Sequence, residues 1–206
     1  MEVYSNENEQ VDALKSFFAQ NGKALVVGVI IGVGALAGWR YWSTHQEGSH
    51  QKASAAWQQV STALDTSKPE TLDAAAKFAS ENSNTYGALA SLDLAKRYVD
   101  SNQLDKAAAQ LQSGLKDTKD ANLQAVLNLR LARIQLQQKQ PDEVLKTLDA
   151  VKGDGWTAIV ADVRGEALLS KGDTKGARDA WSKGIASDAS PALKEMLQMK
   201  MNNLPG

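Results

Sequence analysis

Residues 165–184 read GEALLSKGDTKGARDAWSKG, and the spacing inside this stretch decides the fold. A small residue, Gly165, is followed by a polar turn at Gly172-Asp173. Ala177 stands twelve positions after Gly165, Trp181 four further on and Gly184 three beyond that. The pattern predicts two antiparallel helices joined by a tight turn. A small residue on the first lets the small residue of the second approach, and the bulky Trp181 fills the gap one turn later.

Two earlier segments align with it without gaps. Ala95 leads to Ala107, Leu111 and Gly114 through Ser101-Asn102, and Ala132 leads to Val144, Leu148 and Val151 through Lys139-Gln140. The offsets between the three copies, 37 and then 33 residues, bracket the period of about 34 that marks stacked helix pairs. Each pair leaves one face unburied, so the copies must pack on one another. The pattern resembles the tetratricopeptide repeat. It departs at the early first-helix position, where Ser91, Asn128 and Ala161 stand in place of the usual Trp, and no proline closes the repeats.

Outward from the repeats the chain stays helical. Residues 53–64 and 70–81, either side of Ser67-Lys68-Pro69, form a pair holding Trp57 and Phe78, read as an N-terminal cap or degenerate repeat. Ser190-Pro191 opens a closing helix that presents Leu193, Met196, Leu197, Lys200 and Leu204 on one side. That side covers the last pair; Met196, Met199 and Met201 are alternatively an adaptable contact surface. With four prolines, six per cent aromatics and no alternating β-branched run, the class is all-α, with residues 53–204 a tetratricopeptide-like domain.

Residues 24–39, ALVVGVIIGVGALAGW, are sixteen uncharged residues between Lys23 and Arg40. As a helix they span roughly 24 Å, and snorkelling Lys23 and Arg40 with Trp39, Tyr41 and Trp42 extend the reach towards a hydrocarbon core of about 30 Å. A single transmembrane helix over 23–43 is expected, followed by a linker at 44–52. Ala35-Leu36-Ala37 before Gly38 offers a rival reading as a cleavage site that releases a soluble product. Against it, the preceding 22 residues are long and acidic (Glu2, Glu7, Glu9 and Asp12 against Lys15) where a short basic region is needed. Residues 1–22 instead predict an amphipathic cytoplasmic leader. Asn6 and Glu9 resemble a capping box, Val11, Leu14, Phe17 and Phe18 share a face, and Asn21-Gly22 stops the helix. Lys15 and Lys23 against Arg40 and Lys52 set sidedness only slightly.

The chemistry excluded is broad. The chain lacks cysteine, and its 23 basic against 24 acidic residues leave no polybasic tract for nucleic acid. His45 and His50, five apart, sit about 140° apart on a helix, a poor pair for one metal. With no phosphate loop, catalytic constellation or cofactor motif, no enzyme activity, metal or cofactor is expected.

The register places a partner-binding groove on the first helices of the pairs: Leu92, Lys96 and Val99, then Leu129, Arg133 and Leu136, then Asp162, Glu166 and Leu169. Apolar ridges with interleaved charge suit a helix or extended segment of another protein; the leucines are alternatively interhelical core. Leu92 and Ile159 stand where a carboxylate clamp needs lysines, which disfavours a cytosolic-chaperone tail as ligand. In the span, Gly28 with Gly32 and Gly34 with Gly38 form small-xxx-small pairs that permit close helix packing in lipid, or are glycines that any span tolerates.

Taken together, NENEQVDALKSFFAQNGKAL, VVGVIIGVGALAGWRYW, NTYGALASLDLAK and GEALLSKGD resemble the YfgM family, ancillary subunits of the bacterial Sec translocon. The resemblance covers nearly the whole chain. It implies a single-pass inner-membrane protein with a cytoplasmic N-terminus and a periplasmic domain. It further implies work beside Sec translocon subunits and the membrane-anchored chaperone PpiD, passing exported polypeptides to periplasmic chaperones. The competing function is a membrane-tethered signalling regulator that sequesters a cytosolic factor through the leader.

Overall fold

The computed structural model describes the backbone of residues 7–65 and 68–204, and the side chains of these except 7–10, 13 and 45–50. The expected Asn6–Glu9 capping box, the His45–His50 geometry and Ser67 lie outside the described residues. The chain divides into two compact units, Met1–Lys52 and Ala53–Gly206.

The described residues of the first unit belong to one helix, α1 (Glu7–Ala63). Asn21-Gly22 does not stop it: Asn21 Nδ2 donates to the Phe17 carbonyl at 3.1 Å, and the helix runs on. A glycine in a helix interior costs only about 1 kcal/mol, too little to interrupt so long a run. Residues 44–52 are likewise helical. Among the described residues one stretch, Leu14–Thr44, is long and apolar enough to cross a membrane. Val29, Ile30, Ile31, Val33 and Leu36 are all exposed in it, so its apolar surface has no cover among the described residues. The spaces beside Gly28, Gly32, Gly34 and Gly38 are open.

In the second unit the end of α1 is followed by α2 (Pro69–Glu81), α3 (Thr85–Asp100), α4 (Leu104–Asp117), α5 (Ala121–Gln137) and α6 (Pro141–Asp149). A 3-10 turn at Asp154–Trp156 leads to α7 (Thr157–Ser170), α8 (Thr174–Ala186) and α9 (Pro191–Asn202). From α2 onward each helix packs on the next. The starts are set by short polar side chains: Asn84, Asp120, Asp173 and Ser190 accept from backbone N–H groups of the first turns of α3, α5, α8 and α9.

The three repeats are the pairs α3/α4, α5/α6 and α7/α8. Their equivalence extends to the backbone of the turns, where Asn102, Lys139 and Gly172 have φ of 55°, 60° and 81°. In each, the next amide reaches back to the first helix: Gln103 to the Tyr98 carbonyl, Gln140 to that of Gln135 and Asp173 to that of Leu168. These left-handed caps satisfy carbonyls that a helix end leaves open. Ala95, Ala107, Ala132, Val144, Gly165 and Ala177 are buried at the expected contacts, as are Leu111, Leu148 and Trp181.

At Ser91 and Ala161 the missing tryptophan has a steric reason. A Cβ built on Gly114 would lie 2.7 Å from the Ser91 Cβ, and one on Gly184 2.8 Å from the Ala161 Cβ. The second helix comes so close there that only small residues fit opposite it.

The terminal elements cover the stack. Residues 53–63 of α1 with α2 form a first pair whose Trp57 and Phe78 rings lie 6.0 Å apart, in a cluster with Leu64, Ala75 and Leu94. At the other end α9 buries Leu197 against Trp181, Ala177 and Ala158. Leu193, Met196, Met201 and Leu204 pack beside it, whereas Met199 is exposed. Capping, rather than a free methionine surface, is therefore the role of this face.

Candidate functional site

The first helices of the pairs share one side of the second unit, and a groove of about 600 Å³ opens on it between α3 and α5, with Trp57 among its lining residues. The spacing of α3 turns Leu89, Leu92, Lys96 and Val99 onto one stripe. On α5, Val126, Arg130, Arg133 and Ile134 form the opposite wall.

Leu92, Lys96, Val99 and Arg133 are thus brought together as the register expected. Leu129 and Leu136 are not. Leu129 is only 6% exposed and belongs to the cluster of Ala132, Val144, Leu148 and Val163, against which Leu136 also packs. The reason is the position of α5 inside the stack: its flank at 129 and 136 supplies the contact with α6 and α7. Trp57, Val126 and Arg130 escaped the sequence reading. Val126 and Arg130 could have been found, since they are the register equivalents of Leu89 and Asp93, which line the other wall. Trp57 lies outside the repeat pattern.

Asp162, Glu166 and Leu169 lie on the same side of α7 but are engaged by the capping helix. Lys200 of α9 donates to Asp162 Oδ1 at 2.5 Å and to Glu166 Oε1, while Leu169 packs in the terminal cluster. Arg133 Nη2 lies 3.6 Å from the second oxygen of Asp162, whose side chain is 8% exposed. Burial disfavours the charged ammonium of Lys200, but its two carboxylate partners outweigh that and raise its pKa above the ordinary lysine value. The Trp181 indole N–H donates to the Asp162 carbonyl at 3.1 Å, so one residue of α7 holds both neighbours.

The remaining charges of the groove divide unevenly. On α3, Lys96 meets Asp100 at 2.9 Å, and Asp93 meets Arg97, which stands outside the lining, at 3.7 Å, so both acids of this wall are paired within the helix. On α5 the charged residues are Arg130 and Arg133, with no acid in the helix. Among the described residues no cluster of three or more metal-ligating side chains exists. What the lining offers is apolar contact and ion pairing, the chemistry of a polypeptide-binding surface.

The chain matches the family model described as a tetratricopeptide repeat-like domain over residues 15–206. It is 66% identical over 204 residues to the ancillary SecYEG translocon subunit of Escherichia coli K12, covering 99% of both chains. It is 34% identical over 204 residues to the subunit of the same name in Haemophilus influenzae, covering 98% of this chain and all of the relative. A relative of that name in Neisseria gonorrhoeae is 23% identical over 208 residues. No solved structure matches the chain. Identity at this level over the full length, on the helical-pair fold described above, assigns the chain to the YfgM family of ancillary SecYEG translocon subunits.

Proposed function

We propose that this protein is a single-pass inner-membrane accessory of the Sec translocon. It has a cytoplasmic leader at 1–22, a transmembrane helix at 23–43, a connecting segment at 44–52 and a periplasmic domain at 53–204. In this reading Gly28, Gly32, Gly34 and Gly38 let the span approach the helices of translocon subunits. The domain binds PpiD and segments of exported polypeptides in its groove and passes the latter to periplasmic chaperones.

The observation that carries the reading is the open apolar groove in a chain that also holds one helix apolar enough to cross a membrane. A soluble protein gains little by leaving such surfaces uncovered; a tethered adaptor needs both. A photoreactive residue at Leu92, which lines the groove, is expected to trap translocon subunits, PpiD or nascent chains in intact membranes, and a blank result overturns the assignment. Sidedness is tested by protease. The domain is expected to be cleaved in spheroplasts and protected in inverted inner-membrane vesicles.

A further inference from the structure

The groove is polarised, and this narrows what it binds; the argument rests on the reading of the groove as a polypeptide site. Its lining is mainly apolar, with Trp57, Leu92, Val99 and Val126 among the residues. The α3 wall carries two acids, Asp93 and Asp100, and one base, Lys96, and both acids are already paired within the helix. The α5 wall carries two guanidiniums and no acid. Arg130 is exposed and has no ion pair among the described residues. Arg133 has only the far oxygen of Asp162, whose other oxygen is held by Lys200.

An occupant that covers this apolar lining also takes water from Arg130 and Arg133. A wholly apolar occupant would leave two guanidiniums without the hydrogen bonds water gave them, and a basic one would add like charge. A carboxylate at that edge replaces the lost water with charge-assisted, bidentate hydrogen bonds. We propose that the groove selects an amphipathic segment of a partner polypeptide with an acidic side chain beside its apolar face, the carboxylate meeting Arg130 and Arg133.

The test uses the full chain in lipid nanodiscs, with empty nanodiscs as the blank. Three fluorescein-labelled amphipathic helical peptides share one apolar face and differ at a single edge position, Glu, Gln or Lys. The Glu peptide is expected to bind at least about fivefold more tightly than the Gln peptide, with the Lys peptide weakest. The difference should shrink in about 0.5 M salt. Arg130→Ala should bring the three affinities together, and Arg130→Glu should reverse their order; both leave the fold intact because Arg130 is exposed and makes no ion pair among the described residues. Equal affinities for the unaltered chain, with all binding lost in Leu92→Asp, overturn the charge selection and leave the groove reading standing. No binding by any of the three overturns both.

Discussion

At the scale of single residues, the fold is governed by places where nothing larger fits. Gly165 is the clearest. A Cβ there would run into the Trp181 indole, which is 2% exposed and fixed by its hydrogen bond to the Asp162 carbonyl. On an open helix surface Gly→Ala stabilises by about 1 kcal/mol. Here a rigid ring must move, so Gly165→Ala is expected to destabilise the domain by about 1–3 kcal/mol in chemical denaturation. Adding Trp181→Leu should make the glycine substitution nearly neutral, because the obstacle is gone; additive losses would show that the contact is not the cause. Lys139 predicts the opposite sign. It holds φ of 60° at the same turn position where Gly172 holds 81°. A side chain in that region costs about 1–2 kcal/mol, offset in part by glycine's greater unfolded freedom. Lys139→Gly should therefore raise stability by about 0.5–1 kcal/mol, read as a higher denaturation midpoint at unchanged slope.

At the scale of elements, α9 decides how the stack ends, and Lys200 is its electrostatic contact. Removing that ammonium leaves Asp162 buried with Arg133 alone at 3.6 Å. Lys200→Met is expected to cost about 1–3 kcal/mol, less than a fully buried pair because Lys200 is 28% exposed. Lys200→Met with Asp162→Asn should recover part of the loss. The pH dependence follows from the direction of the shift. The native pKa of Lys200 is raised by its carboxylates against burial, so its contribution is complete below the ordinary lysine value and fades as pH climbs through the native one. Above about pH 10.5 the unaltered protein should lose stability more steeply than Lys200→Met; parallel profiles would contradict this. This contact also marks where sequence reading stops. Spacing placed Lys200 on the apolar face of α9, but its acids stand 34 and 38 residues earlier on α7, and no periodicity joins them. The groove divides the same way. Leu92, Lys96, Val99 and Arg133 were legible from repeat register alone, whereas Leu129 and Leu136 were absorbed by contacts that only the position of α5 in the stack explains. Trp57 lines the groove from a helix pair outside the repeat.

At the scale of the whole molecule, the two units obey different solvents. The core of Ala53–Gly206 is closed by its own helices, from the Leu64 cluster to the Leu197 cluster, while Leu14–Thr44 buries nothing within the chain. Composition made the second unit's class legible, because small residues at repeat spacing require stacked helices. It left the length of α1 illegible, since one asparagine-glycine step carries too little energy to signal either a stop or its absence. The different solvents supply the last prediction. Eight Leu, Ile and Val residues in 24–39 favour insertion by roughly 0.3–0.6 kcal/mol each. An arginine near mid-span opposes it by about 2.5–3.5 kcal/mol. Replacing Ile30 and Ile31 together removes two favourable residues and adds about 5–7 kcal/mol of cost, more than the remaining six can offset. Ile30→Arg with Ile31→Arg should therefore move the chain from the carbonate-resistant membrane fraction to the extractable one. The cooperative thermal transition of the domain should stay where it was, because both side chains are exposed and belong to the first unit. Retention in the membrane after the double substitution would mean that something other than this helix holds the protein there. In that case the reading of α1 as a single-span anchor would fall even though the helical stack survived.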